Sequence, residues 1–301
     1  MKKVRVRVPA STSNLGPGFD ALGLALQLYN YVEMEEVRGG LCITVEGEGK
    51  EVLGGEGQEN LVIRAAMATF DCLGHHPKGI KVHLINSIPI GKGLGSSGAA
   101  CLGGIGAASK LAGVELSKEE ILRLAFPFEG HSDNIVPSLV GGFTASCEVE
   151  GRVLYVKIPI PEALKVVVVI PGLSVSTGEA RRILPREVSL ADAAFNIGRV
   201  ALLVGGIVTG KWGVLAEGAR DKLHQPYRAS LLPGMERVFE AGYKEGGLAC
   251  FLSGAGSALV ALVDKTPERV GQGMQEVWQR EFEIPCEYRV LEIDQEGLIF
   301  C

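Results

Sequence analysis

Pro89-Ile90-Gly91-Lys92-Gly93-Leu94-Gly95-Ser96-Ser97-Gly98-Ala99-Ala100 is the stretch from which the rest of this chain is best approached. It comes after Ile80, Val82 and Leu84 alternating with Lys81 and His83, a period-two pattern that predicts a strand. It runs on into Ala-, Gly- and Leu-rich sequence compatible with a helix. Glycines at 91, 93 and 95 let backbone N–H groups face one concavity, and a following helix N-terminus adds free N–H groups and a partial positive charge. That combination suits a polyphosphate. Two familiar nucleotide patterns fail here. Gly93, Gly95 and Gly98 match G-x-G-x-x-G, but the acid expected ~20 residues on falls at Glu115, Glu119 and Glu120, beside or inside a helix cap. The P-loop pattern needs G-K-[ST], and Gly91-Lys92-Gly93 does not supply it.

Composition agrees with a phosphate ligand held by backbone. The 301 residues include 41 Gly, close to twice the ~7% average usage, with only 6% aromatics. Net charge is −5, so no global basic field exists to hold a nucleic acid or an anionic membrane, and neither is expected as a partner. Seven scattered cysteines without a C-x-x-C pair imply no disulfide framework and fit a reduced, cytoplasmic protein. The start, MKKVRVRVPA, lacks the apolar run of a signal peptide, and the uncharged stretches Gly93 to Ser109 and Gly246 to Val263 are too rich in Gly, Ala and Ser to span a membrane. Cys72, His75 and His76 lie close together at a predicted helix end but lack a fourth partner for a metal, so the histidines are taken as loop residues.

Along the chain, Val4-Arg5-Val6-Arg7-Val8 predicts a half-buried strand ending at Pro9. Further strands are expected at Leu41 to Glu46, Phe143 to Val149, Val153 to Ile158 and Lys165 to Ile170, the last Val-rich enough to be buried on both faces. Asn60 to Leu73 predicts a helix capped by Gly74, Ser117-Lys118-Glu119-Glu120 a capping box opening another, and Ser189 to Val208 a long apolar helix. Thr266-Pro267-Glu268 opens a last one, with Val270, Met274, Val277 and Trp278 on one face. Pro159 and Pro161 break sheet continuity, which places a domain boundary between residues 1–158 and 159–301.

With G-L-G-S-S after a proline, the chain resembles the GHMP kinases. Two more motifs stand in that family's order, Pro9-Ala10-Ser11-Thr12-Ser13-Asn14-Leu15-Gly16-Pro17-Gly18-Phe19-Asp20 and Leu252-Ser253-Gly254-Ala255-Gly256-Ser257. Glu129-Gly130-His131-Ser132-Asp133-Asn134, Ser176-Thr177-Gly178-Glu179-Ala180-Arg181 and His224-Gln225-Pro226-Tyr227-Arg228 resemble segments of the members that phosphorylate L-homoserine. The resemblance implies a two-domain α+β fold, with an N-terminal half like ribosomal protein S5 domain 2 and a C-terminal ferredoxin-like α/β half. It implies ATP and Mg²⁺, with L-homoserine as the second small-molecule ligand and O-phospho-L-homoserine, on the threonine pathway, as product. A mevalonate-pathway type of GHMP kinase, an NAD-dependent oxidoreductase and a non-catalytic ligand-binding relative stay open as alternatives, and so does a homodimer.

Homoserine carries an ammonium, a carboxylate and a reacting hydroxyl. Asp20 can meet the first, and Arg181 and Arg228 the second, because a planar guanidinium matches a carboxylate in bidentate geometry. The resemblance assigns these three to the amino acid, with Asn14 and His131 completing its pocket. It assigns Pro89 through Ala99 (Pro89, Ile90, Gly91, Lys92, Gly93, Leu94, Gly95, Ser96, Ser97, Gly98, Ala99) to the nucleotide, with Asn60 near the adenine. Glu129 with Ser97 or Ser96 would supply the protein oxygens for Mg²⁺. Asn134, Glu129, Thr177 and Arg181 fall at the reaction itself. The first motif lacks the Lys or Arg of galactokinase-like members, so Asn134 is expected to orient the hydroxyl; Asp133 as a base stays open.

Overall fold

The computed structural model describes residues 2–53 and 57–301, which form two sheets sharing one apolar interior. β1 (Lys3–Ser13), β2 (Leu22–Glu36), β3 (Gly40–Gly47), β4 (Gly79–Asn86), β5 (Phe143–Val149) and β6 (Arg152–Ile158) build the first sheet. β7 (Lys165–Pro171), β8 (Ala249–Leu252), β9 (Leu259–Val263) and β10 (Cys286–Leu291) build the second, and β11 (Ile299–Phe300) returns to pair with β1.

The first sheet runs β11-β1-β2-β4-β3, with β5 pairing β2 and β6. Among the described residues only β3 and β4 pair in parallel, and the helix Leu61–Leu73 lies in their crossover, as a parallel pair requires. The alternation at Val4, Val6 and Val8 buries all three, as the pattern predicts, but β1 does not stop at Pro9. A register shift between Pro9 and Ala10 absorbs the missing donor and lets the strand run on to Ser13, carrying the first motif into the site. Helices Leu61–Leu73, Ser96–Ala112 and Lys118–Glu129 pack over the sheet. The capping box is present, with Ser117 accepting from the Glu120 N–H at 3.2 Å and Glu120 accepting from the Ser117 N–H at 2.8 Å.

The second sheet runs β10-β7-β9-β8, antiparallel throughout, which is the 4-1-3-2 order of a ferredoxin-like β-α-β-β-α-β unit. Val167 and Val169 of β7 face helices Met235–Lys244 and Pro267–Glu281, where Met274 and Trp278 are fully buried. Val166, Val168 and Ile170 face the other way into the core of the first sheet. The valine run is buried on both sides because it stands between two cores. The first sheet's last hairpin ends at Ile158 and β7 begins at Lys165; we place the division between the units there, with Ile299-Phe300 crossing back.

Helix Leu190–Thr209 has, by length and composition, enough apolar sequence to cross a membrane. It docks Leu203 and Ile207 into the core, whereas Leu190 and Ile197 are 86% and 72% exposed.

Candidate active site

The loop after β4 is held in shape from two sides. Gly95 caps helix Ser96–Ala112 with φ +69°, and a Cβ there would stand 2.1 Å from Ser11 Oγ of β1. Gly93, at φ +76°, would bring a Cβ to 2.0 Å from the Ser253 carbonyl. Only glycine fits both the left-handed backbone and the close approach. The Ser11 N–H donates to the Leu94 carbonyl at 3.1 Å, and the Ala258 N–H to the Lys92 carbonyl at 3.0 Å. Ser253 Oγ donates to the Gly93 carbonyl at 2.7 Å and accepts from Thr12 Oγ1 at 2.8 Å. The three Gly- and Ser-rich motifs are therefore one bonded unit. Its product is a helix N-terminus in which the N–H groups of Ser96, Ser97 and Gly98 have no carbonyl one turn back to bond.

A cavity of about 560 Å³ opens over this unit. Pro89, Ile90, Gly91, Gly93, Leu94, Gly95, Ser96 and Ser97 line it, as does Asn60, whose side chain accepts from the Val62 N–H at 3.0 Å and caps helix Leu61–Leu73. Ser97 Oγ donates to the Glu129 carboxylate, while Ser96 Oγ reaches back to the Ile88 carbonyl at 3.5 Å. One hydroxyl and one carboxylate side by side match Mg²⁺, which takes one or two protein oxygens and fills its octahedron with phosphate and water. Among the described residues, no group of three or more His, Cys, Asp or Glu side chains is placed to hold a metal ion.

At the other end of the cavity stand Asn14, Asp20, His131, Asp133, Asn134, Thr177, Arg181 and Arg228. Asn14 and Asp20 sit in a tight loop at φ +70° and +55°. Asn14 Oδ1 accepts from the Asp20 N–H at 2.9 Å and its Nδ2 donates to the Gly254 carbonyl at 3.0 Å, which fixes Asp20 against the third motif. Arg181 grips Asp20 with both Nη atoms, at 3.0 and 2.7 Å. Its hydrogen bond to Asp20, against the opposing cost of burial, raises the Arg181 pKa further. Arg228 is 2% exposed; burial first, and the charge of Arg181 second, lower its pKa to about 10. A cation so desolvated gains most from an anionic partner. His131 Nδ1 donates to Asp133 Oδ1 at 2.7 Å. Burial opposes a charge on His131, yet the bond to Asp133 and the charges of Asp133 and Glu129 outweigh it and raise its pKa.

Three residues assigned to the nucleotide stand outside the cavity wall. Lys92 turns away, its ammonium donating to the carbonyls of Pro171, at 3.0 Å, and Leu173, and to Ser174 Oγ. Gly98 faces Ile135 and Asn134 across the helix, and Ala99 is fully buried. Conversely, Leu61 and Val62, which follow Asn60 in its N-L-V segment, are joined by Leu84 and Phe128, which no sequence motif marks, in an apolar wall. Phe19 stacks on His224 and lies under the Arg228 guanidinium, while Asp221 accepts from Asn196 Nδ2 and from the His224 backbone N–H. The segment His224 to Arg228 stands out in the sequence for Arg228, and only the fold shows the contacts of His224.

The GHMP kinase N-terminal domain matches residues 60–142 and the GHMP kinase C-terminal domain residues 203–280. The chain belongs to the GHMP kinase family, and is an ATP-dependent phosphotransferase of the kind that acts on an alcohol. It is similar to a protein named homoserine kinase from Aquifex aeolicus, 42% identical over 98% of both chains. Another so named, from Petrotoga mobilis, is 45% identical over 87% of this chain and 85% of its own. The crystal structure of homoserine kinase from Cytophaga hutchinsonii superposes with a TM-score of 0.90 at 29% identity, covering 100% of this chain and 98% of that one. A mevalonate kinase at 17% identity and TM-score 0.72, covering 97% and 99%, shares the fold.

Proposed function

We propose that this chain transfers the γ-phosphoryl group of ATP to the side-chain hydroxyl of L-homoserine, giving ADP and O-phospho-L-homoserine in cytoplasmic threonine biosynthesis. The observation that carries it is one cavity with two chemically distinct ends, a phosphate-binding helix N-terminus beside Ser97 and Glu129, and an acid-and-arginine cluster suited to a zwitterion. Asn60 and the apolar wall of Leu61, Val62, Leu84 and Phe128 take the adenine side. The loop and the amides of Ser96 and Ser97 take the phosphates, supplying locally what an acidic protein lacks globally. Ser97 and Glu129 would hold Mg²⁺, which when bound neutralises charge between the β- and γ-phosphates.

Asp20 faces the ammonium of the amino acid, while Arg181 and Arg228 face its carboxylate, so Arg181 exchanges part of its grip on Asp20 for the ligand. Thr177, at the start of helix Thr177–Arg182, also faces the acceptor end. Asn134 is locked, with Oδ1 accepting from Ser11 Oγ at 3.0 Å and Nδ2 donating to Ser13 Oγ at 3.1 Å. The second lone pair of Oδ1 can accept from the acceptor hydroxyl and aim it. We assign positioning to Asn134 rather than proton abstraction to Asp133, because Asp133 Oδ1 is already committed to His131 and, at 3.4 Å, to Asn134. A loose phosphoryl-transfer transition state asks mainly for position and charge neutralisation.

The chain is also proposed to pair as a homodimer, a reading supported by the exposed apolar residues Leu190, Ile197 and Val208 at helical spacing on one face. A coupled assay of ADP release over homoserine, mevalonate and galactose tests the activity. Turnover with homoserine is expected, and preference for either competitor would overturn the assignment.

A further inference from the structure

His224 is fully buried one turn before Arg228, and it bonds with both ring nitrogens. Its Nε2 lies 2.6 Å from the Gly16 carbonyl. A carbonyl oxygen only accepts, so Nε2 carries the proton, and the 3.6 Å approach of the Asp221 carboxylate to the same nitrogen agrees. Nδ1 lies 3.2 Å from Arg228 Nη1. A guanidinium only donates, so Nδ1 must present a bare lone pair. Both partners thus demand the same species, the neutral Nε2–H imidazole. The environment favours it, since burial lowers the His224 pKa.

Arg228 is otherwise held at Nε by the Ala180 carbonyl, at 3.2 Å, and at Nη1 by the Gly254 carbonyl, at 2.9 Å. These bonds engage Nε and Nη1, so Nη2 is the nitrogen they leave for a ligand in the cavity that Arg228 lines. The His224 ring in turn stacks on Phe19 at 5.2 Å, and Arg228 lies over the same ring at 5.3 Å. Through Gly16 and Phe19 the histidine ties the arginine to the loop that carries Asp20.

We infer that His224, acting as a neutral acceptor, is a positioning residue that sets the rotation of the Arg228 guanidinium and so governs recognition of the acceptor's carboxylate. The inference rests on the proposed function for the identity of the acceptor, but not for the tautomer or the contact.

Two near-isosteres separate the two nitrogens. In His224→Asn the amide oxygen can stand where Nδ1 stood and keep the acceptor for Arg228. In His224→Gln the amide nitrogen can stand where Nε2 stood and keep only the donor to Gly16. We expect KM for homoserine to rise by about tenfold or more in His224→Gln but to stay within about threefold of wild type in His224→Asn. KM for ATP should hold in both. A role in packing alone would move both variants together, so equal KM values for homoserine in the two would overturn the inference. If either variant fails to fold, ¹⁵N NMR of the wild-type ring decides. An unprotonated Nδ1 at neutral pH supports the inference, and a proton on Nδ1 refutes it. Wild-type turnover of mevalonate instead of homoserine would sink the proposed function while leaving the NMR result to speak for His224 on its own.

Discussion

Gly91 and Gly95 share a backbone conformation, φ +68° and +69°, but not a neighbourhood. A Cβ at Gly91 meets nothing within 4 Å, whereas one at Gly95 would stand 2.1 Å from Ser11 Oγ and 3.2 Å from both Asn134 Oδ1 and the Ser11 nitrogen. Alanine at either position pays the left-handed penalty of roughly 1–2 kcal/mol. At Gly95 it must also expel the Ser11 hydroxyl, which donates to Asn134 Oδ1 at 3.0 Å. Losing that buried bond adds about 1–3 kcal/mol, and the clash with the β1 backbone cannot be relieved by a rotamer change alone. The difference between Gly95→Ala and Gly91→Ala cancels the strain and isolates the collision, at about 1–3 kcal/mol. Urea denaturation measures it. Turnover should fall further in Gly95→Ala, because Asn134 loses the partner that aims it. Equal urea midpoints for the two variants would show that Ser11 moves aside without cost, and would refute the picture of a loop clamped by β1. The same geometry argues that a larger residue at Gly95 disturbs the fold as well as phosphate binding.

Three other outcomes test the rest of the site. Arg228→Ala should raise KM for homoserine by roughly 10²-fold, worth about 2–3 kcal/mol for charge-assisted hydrogen bonding from a buried cation, with little change for ATP, and homoserine lactone should be a very poor substrate. Wild-type constants in that variant would release Arg228 from the carboxylate. Glu129→Gln should lower activity and shift the Mg²⁺ titration to higher concentration, since an amide is a weaker partner for a hard cation; an unmoved titration curve removes Glu129 from the metal. His131, whose folded pKa is raised, should contribute stability that is complete below its unfolded value of about 6.5 and lost as pH rises through the folded value. Its NMR midpoint should therefore exceed about 6.5 and drop in Asp133→Asn, and a midpoint indifferent to that change would count against the pair.

What could be read from the sequence was local. The alternation of Val4 to Val8, the Ser117 capping box and the glycine loop each declare themselves within a few residues, because period, cap and turn chemistry act over that range. β2 did not declare itself. Its first five residues, Leu22 to Leu26, are all buried, with β5 and Ile293 pairing alongside them, and only from Asn30 onward does exposure alternate, so no single period spans the strand. β11 has two residues, too few to carry any pattern, and it exists because β1 offers it an edge. Lys92 belonged by position to a phosphate loop. Its destination was set by carbonyls at Pro171 and Leu173, about which residues 89–100 say nothing.

The same distinction explains why the motifs could be named from sequence but their linkage could not. The Gly254 carbonyl accepts from Asn14 Nδ2 and, at 2.9 Å, from Arg228 Nη1, so one backbone atom of the third motif fixes both sides of the acceptor end. The residue before it, Ser253, bonds Gly93 of the phosphate loop and Thr12 of the first motif. A displacement of the turn at 253–254 must therefore move the phosphate loop and the acceptor cluster together. Each bond is worth only about a kilocalorie per mole net, yet the set is buried and shared, and sharing makes the arrangement cooperative rather than a sum of independent contacts. In-line transfer between two bound molecules depends on their relative placement, which a mobile joint between the two ends would spoil. The third motif, which contributes only Gly254 and Ala255 to the cavity wall, serves chiefly as that joint held rigid.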